Sequence, residues 1–186
     1  MAHIDDILNL LGKARYFSNY DLKSGHWQLA MDPVDRKKTA FACHKGLFEC
    51  NVRLFGLTNA PVVFSELMAV VLDGLESFAI AYLDDILIFS SILEEHFEHA
   101  QIVFERLRKI GLKLNMKKCG FLQEETTYLG FVINQHGISP DKDTVKVSRS
   151  LKTPSTVKEV RSFIGMTSFI EDLYQIFQTL QNQLLN

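Results

Sequence analysis

The sequence predicts an α+β domain. Three observations predict it: apolar stripes at helical spacing alternate with short runs rich in β-branched and aromatic residues, those runs come in pairs separated by turn residues, and no internal repeat or low-complexity tract interrupts them. Ile7, Leu8, Leu10 and Leu11 make a short amphipathic helix that Gly12 can close. Tyr16 to Leu22 reads as a strand ending at Asp21. Thr39 to His44 and Leu47 to Leu54 read as two strands joined across Lys45-Gly46. Thr58 or Asn59 can cap a helix with Pro61 in its first turn and an apolar stripe running from Val63 and Phe64 to Leu75.

A hairpin follows, then a helix opened by Ser91 and Glu94 in capping-box spacing and carried by Phe97, Ala100, Val103, Phe104 and Leu107 as far as Gly111. Cys119 to Leu122 and Thr127 to Ile133 read as a second hairpin. After Gly137 the texture changes: "SPDKDTVKVSRSLKTPSTVKEVRSFIGM" is basic and helical, broken at Pro154, which places a boundary at roughly 137–140.

The chain has 186 residues, 47% of them hydrophobic, enough to bury a core in one domain or a domain with an appendage. No apolar run approaches the ~20 residues of a membrane span, and the start lacks a basic-then-apolar secretory pattern, so no membrane partner is expected. Three cysteines without a CxxC pair suit a reducing compartment. The net charge of −2 hides an asymmetry. Residues 1–105 hold 8 Lys and Arg against 15 Asp and Glu, whereas residues 106–161 hold 12 against 5. A basic surface beside an acidic site fits a nucleic-acid enzyme; solvated basic helix faces explain the charge alone equally well.

The sharpest feature is "AIAYLDDILIFS", Ala79 to Ser90. Asp84 and Asp85 interrupt a run composed like a buried strand, and an unpaired buried carboxylate costs several kcal/mol. Adjacent aspartates at a tight turn project carboxylates off one end of a sheet, where a divalent cation can neutralise them. Mg²⁺ takes hard oxygen ligands, and a two-metal phosphoryl-transfer site needs a further carboxylate between the ions. Asp21, at a strand end and followed by the small-residue turn "LKSG", is the best candidate. Aspartate is also simply common in turns, so the pair alone is a weak signal.

"YFSNYDLKSGHWQLAMD", "KTAF", "FGLTNAPVVF", "YLDDILIFS", "KLNMKKCGFL", "YLGFVI" and "GISPD" occur in the order and spacing of reverse transcriptases from gypsy-type LTR retrotransposons, which the chain resembles from about Ile4 to Gly165. The resemblance implies a polymerase palm with an antiparallel sheet, packed helices, partial fingers and the beginning of a thumb. Residues 1–137 would be the palm with partial fingers and a primer-grip hairpin, and 138–186 the helical start of a thumb or connection, diverging after about 168. Asp21, Asp84 and Asp85 would be catalytic and would hold two Mg²⁺ ions, with Mn²⁺ as a substitute. Leu22, Lys23, Ser24, Gly25, His26, Phe55 and Gly56 would bind the incoming deoxynucleoside triphosphate. Asn59, Ala60, Pro61, Tyr82, Tyr128, Leu129, Gly130 and Phe131 would meet the template and primer.

The implied reaction is RNA-directed DNA synthesis on an RNA or DNA template with a primer. The expected setting is a Pol polyprotein with ribonuclease H and integrase domains, in a cytoplasmic virus-like particle or the nucleus. The chain departs from the family at His26, where Tyr or Phe is usual, and at Leu54, where Pro is usual. The family's triphosphate-clamping fingers are expected upstream of Met1, so the isolated chain is expected to bind duplex but barely extend primers. A truncated, non-catalytic nucleic-acid-binding remnant is the alternative; a carboxylate-metal nuclease would leave FGLTNAP and the YLGF hairpin without a role.

Other constellations are weaker. His96 and His99 have HxxH spacing on what reads as the polar face of a helix, where histidines are mostly solvated. Cys43, His44 and Cys50 lack a second ligand pair for structural zinc. There is no glycine-rich phosphate loop or nucleophile elbow.

Overall fold

The structure, a computed structural model, describes Leu11 and residues 14–54, 56–142, 146 and 156–164. Apart from Leu11, the expected first helix lies outside the described residues, as do Phe55, the break at Pro154 and the chain beyond 164. Four antiparallel strands form the main sheet in the order β4-β5-β1-β6: β1 is Tyr16–Asp21, β4 Ala79–Tyr82, β5 Asp85–Ser90 and β6 Gly120–Gln123. A small hairpin pairs β2 (Phe41–Cys43) with β3 (Gly46–Phe48), shorter at both ends than its sequence suggests. A second sheet is β7-β8-β9, Glu125–Tyr128, Phe131–Asn134 and Gly137–Pro140. The helices are a single turn α1 (Pro33–Arg36), α2 (Ala60–Val71) and α3 (Leu93–Ile110). Residues 157–164 are also helical.

Why Ile86 to Phe89 is uninterruptedly apolar is now clear. Successive strand residues point to opposite faces, and both faces of the sheet are covered. Ile86 and Ile88 join Tyr20 and Leu22 against Phe64, Met68 and Val71 of α2 and Val103 and Leu107 of α3. Leu87 and Phe89 join Phe17 and Ile80 against Tyr128, Phe131 and Ile133 of the second sheet. Phe64 is fully buried and Phe89 nearly so. Truncating such a phenylalanine to alanine typically costs about 3–5 kcal/mol.

Three sequence expectations need correction. The second hairpin is not 119–122 with 127–133: β6 pairs with β1 in the main sheet, and β7 turns back through Leu129-Gly130 onto β8. Local alternation cannot say which partner a strand takes. The stretch Gly137–Pro140, read as leading into a helical segment, is β9, a strand paired along its length with β8. The capping box at Ser91 does not form; the N-cap of α3 is Ile92, without a side-chain cap. Glu94 and Glu95 in the first turn and Arg108 and Lys109 in the last still suit the helix dipole. Gly111, at φ 78°, ends the helix in the left-handed conformation that glycine adopts without strain.

His96 and His99 are the largest surprise. His96 is only 2% exposed. Its ring nitrogens lie 2.8 Å from Ser18 Oγ and 3.0 Å from Ser90 Oγ, and Ser90 Oγ lies 2.8 Å from His99 Nδ1. The Leu122 N–H donates to Ser18 Oγ at 3.0 Å. When each donor is used in one direction, Ser18 donates to His96 Nε2, His96 Nδ1–H to Ser90, and Ser90 to His99. The histidines therefore tie α3 to β1, β5 and β6, and His99 stacks flat on Phe78 at 3.8 Å. The apolar stripe of α3 is split: Val103 and Leu107 are buried, whereas Phe97, 59% exposed, faces solvent.

Candidate active site

β1 and β5 run antiparallel, and their register ends with Asp21 opposite Asp85. β4 and β5 are joined by a two-residue turn, Leu83-Asp84, between the paired Tyr82 and Asp85. Leu83 sits at φ 51°, a conformation that costs a non-glycine residue about 1–3 kcal/mol and is retained where surroundings enforce it. The chain leaving β1 closes on this turn, since the Leu22 N–H donates to the Asp84 carbonyl at 2.9 Å. Three carboxylates from two distant segments thus meet at one end of the sheet.

Beneath them the chain turns through Ser24, at φ 51°, into a 3-10 turn, Gly25–Gln28. Gly25 must be glycine here: a Cβ would run into Asp84 Oδ1 and come within 2.8 Å of Phe64 Cζ. Its backbone N–H lies near enough to favour the charged form of the Asp84 carboxylate. His26 is buried, its ring tilted against Phe64 with centroids 5.1 Å apart. Lys118 reaches in from the other side, Nζ 3.2 Å from Asp21 Oδ2.

Burial raises the Asp84 carboxyl above the ordinary carboxylate range, and Asp21 adds to this, opposed by His26, the Gly25 backbone and Lys118. Burial, Asp21 and Asp84 raise Asp85 likewise, with Lys118 opposing. Tyr128 lies just below: burial, then Asp85 and Tyr82, hold its hydroxyl well above the usual tyrosine value. Asp84 Oδ1 is buried and has no hydrogen-bond partner among the described residues. A set of all-oxygen donors, short of positive charge and with one oxygen unsatisfied, has the chemistry that a hard divalent cation takes. Among the described residues, however, no three His, Cys, Asp or Glu side chains are gathered as a ready-made metal cluster. The fit is one of donor chemistry.

The other expected site residues divide by position. Leu22 is buried and bridged to Leu114, while Lys23 and Ser24 are exposed at the turn. Gly56 is exposed at φ 89°, and Phe55 lies outside the described residues. Asn59 is the N-cap of α2, Ala60 is buried and Pro61 exposed, so this edge approaches the site through Phe64, one turn further on. Tyr82 is exposed beside Asp85. Tyr128 and Phe131 are core residues, which leaves Leu129 and Gly130, in a turn with φ 51° and 81°, as the accessible part of that hairpin. From the sequence Phe64 is one member of a helix's apolar stripe, and nothing in "NMKK" distinguishes Lys118 from its neighbours as a partner of Asp21.

A family model described as reverse transcriptase (RNA-dependent DNA polymerase) matches residues 1–133. The chain belongs to the reverse transcriptase family. It is 40% identical over 170 residues to the retrovirus-related Pol polyprotein from transposon 297 of Drosophila melanogaster, covering 91% of this chain and 16% of that polyprotein. To the Pol polyprotein from transposon gypsy of the same fly it is 34% identical over 178 residues, covering 95% and 17%. Among solved structures it resembles a foamy viral protease–reverse transcriptase in complex with double-stranded DNA, with TM-score 0.78, 26% identity and coverage of 95% of this chain and 33% of that one. The same viral protein in complex with an RNA/DNA hybrid gives TM-score 0.75 and 28% identity over 90% of this chain and 23% of that one. The chain thus spans about a sixth of the length of these transposon polyproteins.

Proposed function

We propose that this chain is the palm of a retrotransposon polymerase that adds deoxynucleotides to a primer 3′-hydroxyl on an RNA or DNA template. The observation that supports it best is the meeting of Asp21, Asp84 and Asp85 at one sheet end, above a floor that only glycine at position 25 leaves open. Asp21 and Asp84, with Asp85 beside them, would hold two Mg²⁺ ions. Those ions, when bound, supply Lewis-acid activation of the hydroxyl and neutralise charge on the triphosphate. The chain's own residues do the positioning. Leu22 to His26 would lie under the incoming sugar, with His26 packed on Phe64 and able to hydrogen-bond a hydroxyl. Gly56 would approach the nucleotide, Asn59 to Pro61 the template, and Tyr82 with the Leu129-Gly130 turn the primer end.

Residues 1–137 would make the palm, partial fingers and primer-grip hairpin, and 138–186 the start of a thumb or connection. Ribonuclease H and integrase activities would belong to the rest of a longer polyprotein, in a virus-like particle or the nucleus. No helix among the described residues is long and apolar enough to cross a membrane. The exposed cations Arg108 and Lys109 in the last turn of α3, and Lys113, Lys117 and Lys118 after it, would track duplex phosphates. Arg106 is committed elsewhere, donating to the Val71 carbonyl at 3.3 Å.

Binding of a primer–template duplex by the 186-residue chain tests the reading. With about five phosphates neutralised, log affinity should fall with log salt at a slope of roughly −4 to −5. In a protein completed with the fingers of a relative, Asp85→Asn should abolish primer extension and leave duplex binding in place. No binding at low salt, or extension that survives Asp85→Asn, overturns it.

A further inference from the structure

The Gln28 carboxamide sits where three backbone groups converge. Its Oε1 accepts from the Lys113 N–H at 2.7 Å, and its Nε2 donates to the Lys23 carbonyl at 2.8 Å and the Lys113 carbonyl at 3.0 Å. All of its hydrogen-bonding hydrogens and one lone pair are in use, and toward Lys113 it behaves as a peptide group would, accepting from the N–H and donating to the C=O. The backbone beside it has only one antiparallel rung. Leu22 bridges Leu114 through Lys23 N–H to Lys113 C=O at 2.9 Å and Asn115 N–H to Asp21 C=O at 2.8 Å. Gln28 adds a second rung made of a side chain.

Two parts of the site hang on this junction. On one side is the 3-10 turn that ends at Gln28 and carries Gly25 and His26 beneath Asp84. On the other is the segment leaving Lys113. There the Asn115 carbonyl accepts the Lys118 and Cys119 N–H groups at 2.9 and 3.2 Å, and the resulting turn brings Lys118 Nζ to Asp21. The two segments are 85 residues apart in sequence, yet one amide joins them.

We infer that Gln28 is a positioning residue for the carboxylate site: a clasp that holds the floor under Asp84 and the 113–118 segment beside Asp21 in one fixed relation. The metal arm of this inference rests on the reading of the three aspartates given above; the clasp itself does not. Glutamate at 28 would have the same length and keep the bond from Lys113 N–H, but would set a carboxylate oxygen against two carbonyls. Asparagine is one methylene too short. The chemistry of this position is therefore narrow.

Amide hydrogen exchange and Mn²⁺ titration of the whole chain test it, on the wild type, Gln28→Glu and Gln28→Ala. Exchange at Lys23, Lys113 and Asn115 should accelerate about tenfold or more in both variants, with Ile86 and Ile88 in β5 unchanged. Mn²⁺ affinity, measured well below the melting temperature, should fall severalfold. Unchanged exchange at Lys113 and Asn115, or acceleration spread evenly through β5, overturns the clasp. Loosened exchange with Mn²⁺ affinity equal to a measurable wild-type value overturns the positioning role. A wild type that binds no Mn²⁺ sinks the metal reading and leaves exchange to decide the clasp.

Discussion

Asp21 and Asp85 face each other as the last pair of the β1–β5 ladder, and among the described residues the cation set against them is Lys118, 3.2 Å from Asp21. A sheet that ends on two opposed carboxylates, with a third in the adjoining turn, is less stable there than one ending on neutral residues.

The first expectation follows from that repulsion. The folded-state values of Asp84 and Asp85 are raised, chiefly by burial, so their ionisation destabilises the fold, and this penalty disappears as pH falls through the folded values. Asp84→Asn should therefore melt at or above the wild type at neutral pH, with the gap closing on acidification toward the ordinary carboxylate range. The same variant should lose Mg²⁺ and Mn²⁺ binding in titration calorimetry. Metal affinity equal to wild type, or a melting temperature far below it, contradicts the site.

At position 25 the outcome is steric. A methyl group there meets Asp84 Oδ1 and the Phe64 ring, neither of which is the loose end of a flexible surface chain. Gly25→Ala should cost about 1–3 kcal/mol in urea denaturation, as overpacking of tight sites does. It should also weaken divalent-cation binding, because the Asp84 carboxylate is the group displaced. A neutral substitution on both counts would show that the floor is not closed in the folded protein.

Ser90 serves two imidazoles at once. Ser90→Ala leaves both without that partner, and an orphaned buried polar group costs about 1–3 kcal/mol. His96 is held below the ordinary histidine value, by burial first and His99 second. The stability it contributes is present above the unfolded value and is lost as pH falls through the depressed folded one. Acid unfolding of the wild type should accordingly carry a histidine step, which the His96→Gln variant lacks; identical acid transitions in the two proteins refute this.

His26 gives a prediction about selectivity. It occupies the floor with a ring shorter than tyrosine, and His26→Tyr adds bulk and a hydroxyl to that place. In a protein completed with a relative's fingers, the His26 form should discriminate less against ribonucleotides than the His26→Tyr form. Equal incorporation ratios in a primer-extension assay would rule it out.

Much of this protein is determined by the sequence itself. The run around Asp84 and Asp85 is apolar on both strand faces, as a sheet covered on both sides needs, and the carboxylates sit at its turn. The strand ending at Asp21 and the stripe of α2 were equally legible, because periods of 2 and 3.6 are local properties of the chain. What tertiary structure alone decided are the pairings between distant segments. β6 joined β1 rather than β7, since several exposed or half-buried strands offer the same alternation and register is settled only by what the other face packs on. His96 left the solvent because Ser18 and Ser90, 78 and 6 residues away, supplied hydroxyls at the right height on two strands, and half-buried His99 shares Ser90 with it. Lys118 met Asp21, and Gln28 met Lys113, across 97 and 85 residues. Hydrogen bonds and ion pairs of that reach carry no periodic signal along a chain; their partners exist as sites only once the backbone has brought them within about 3 Å.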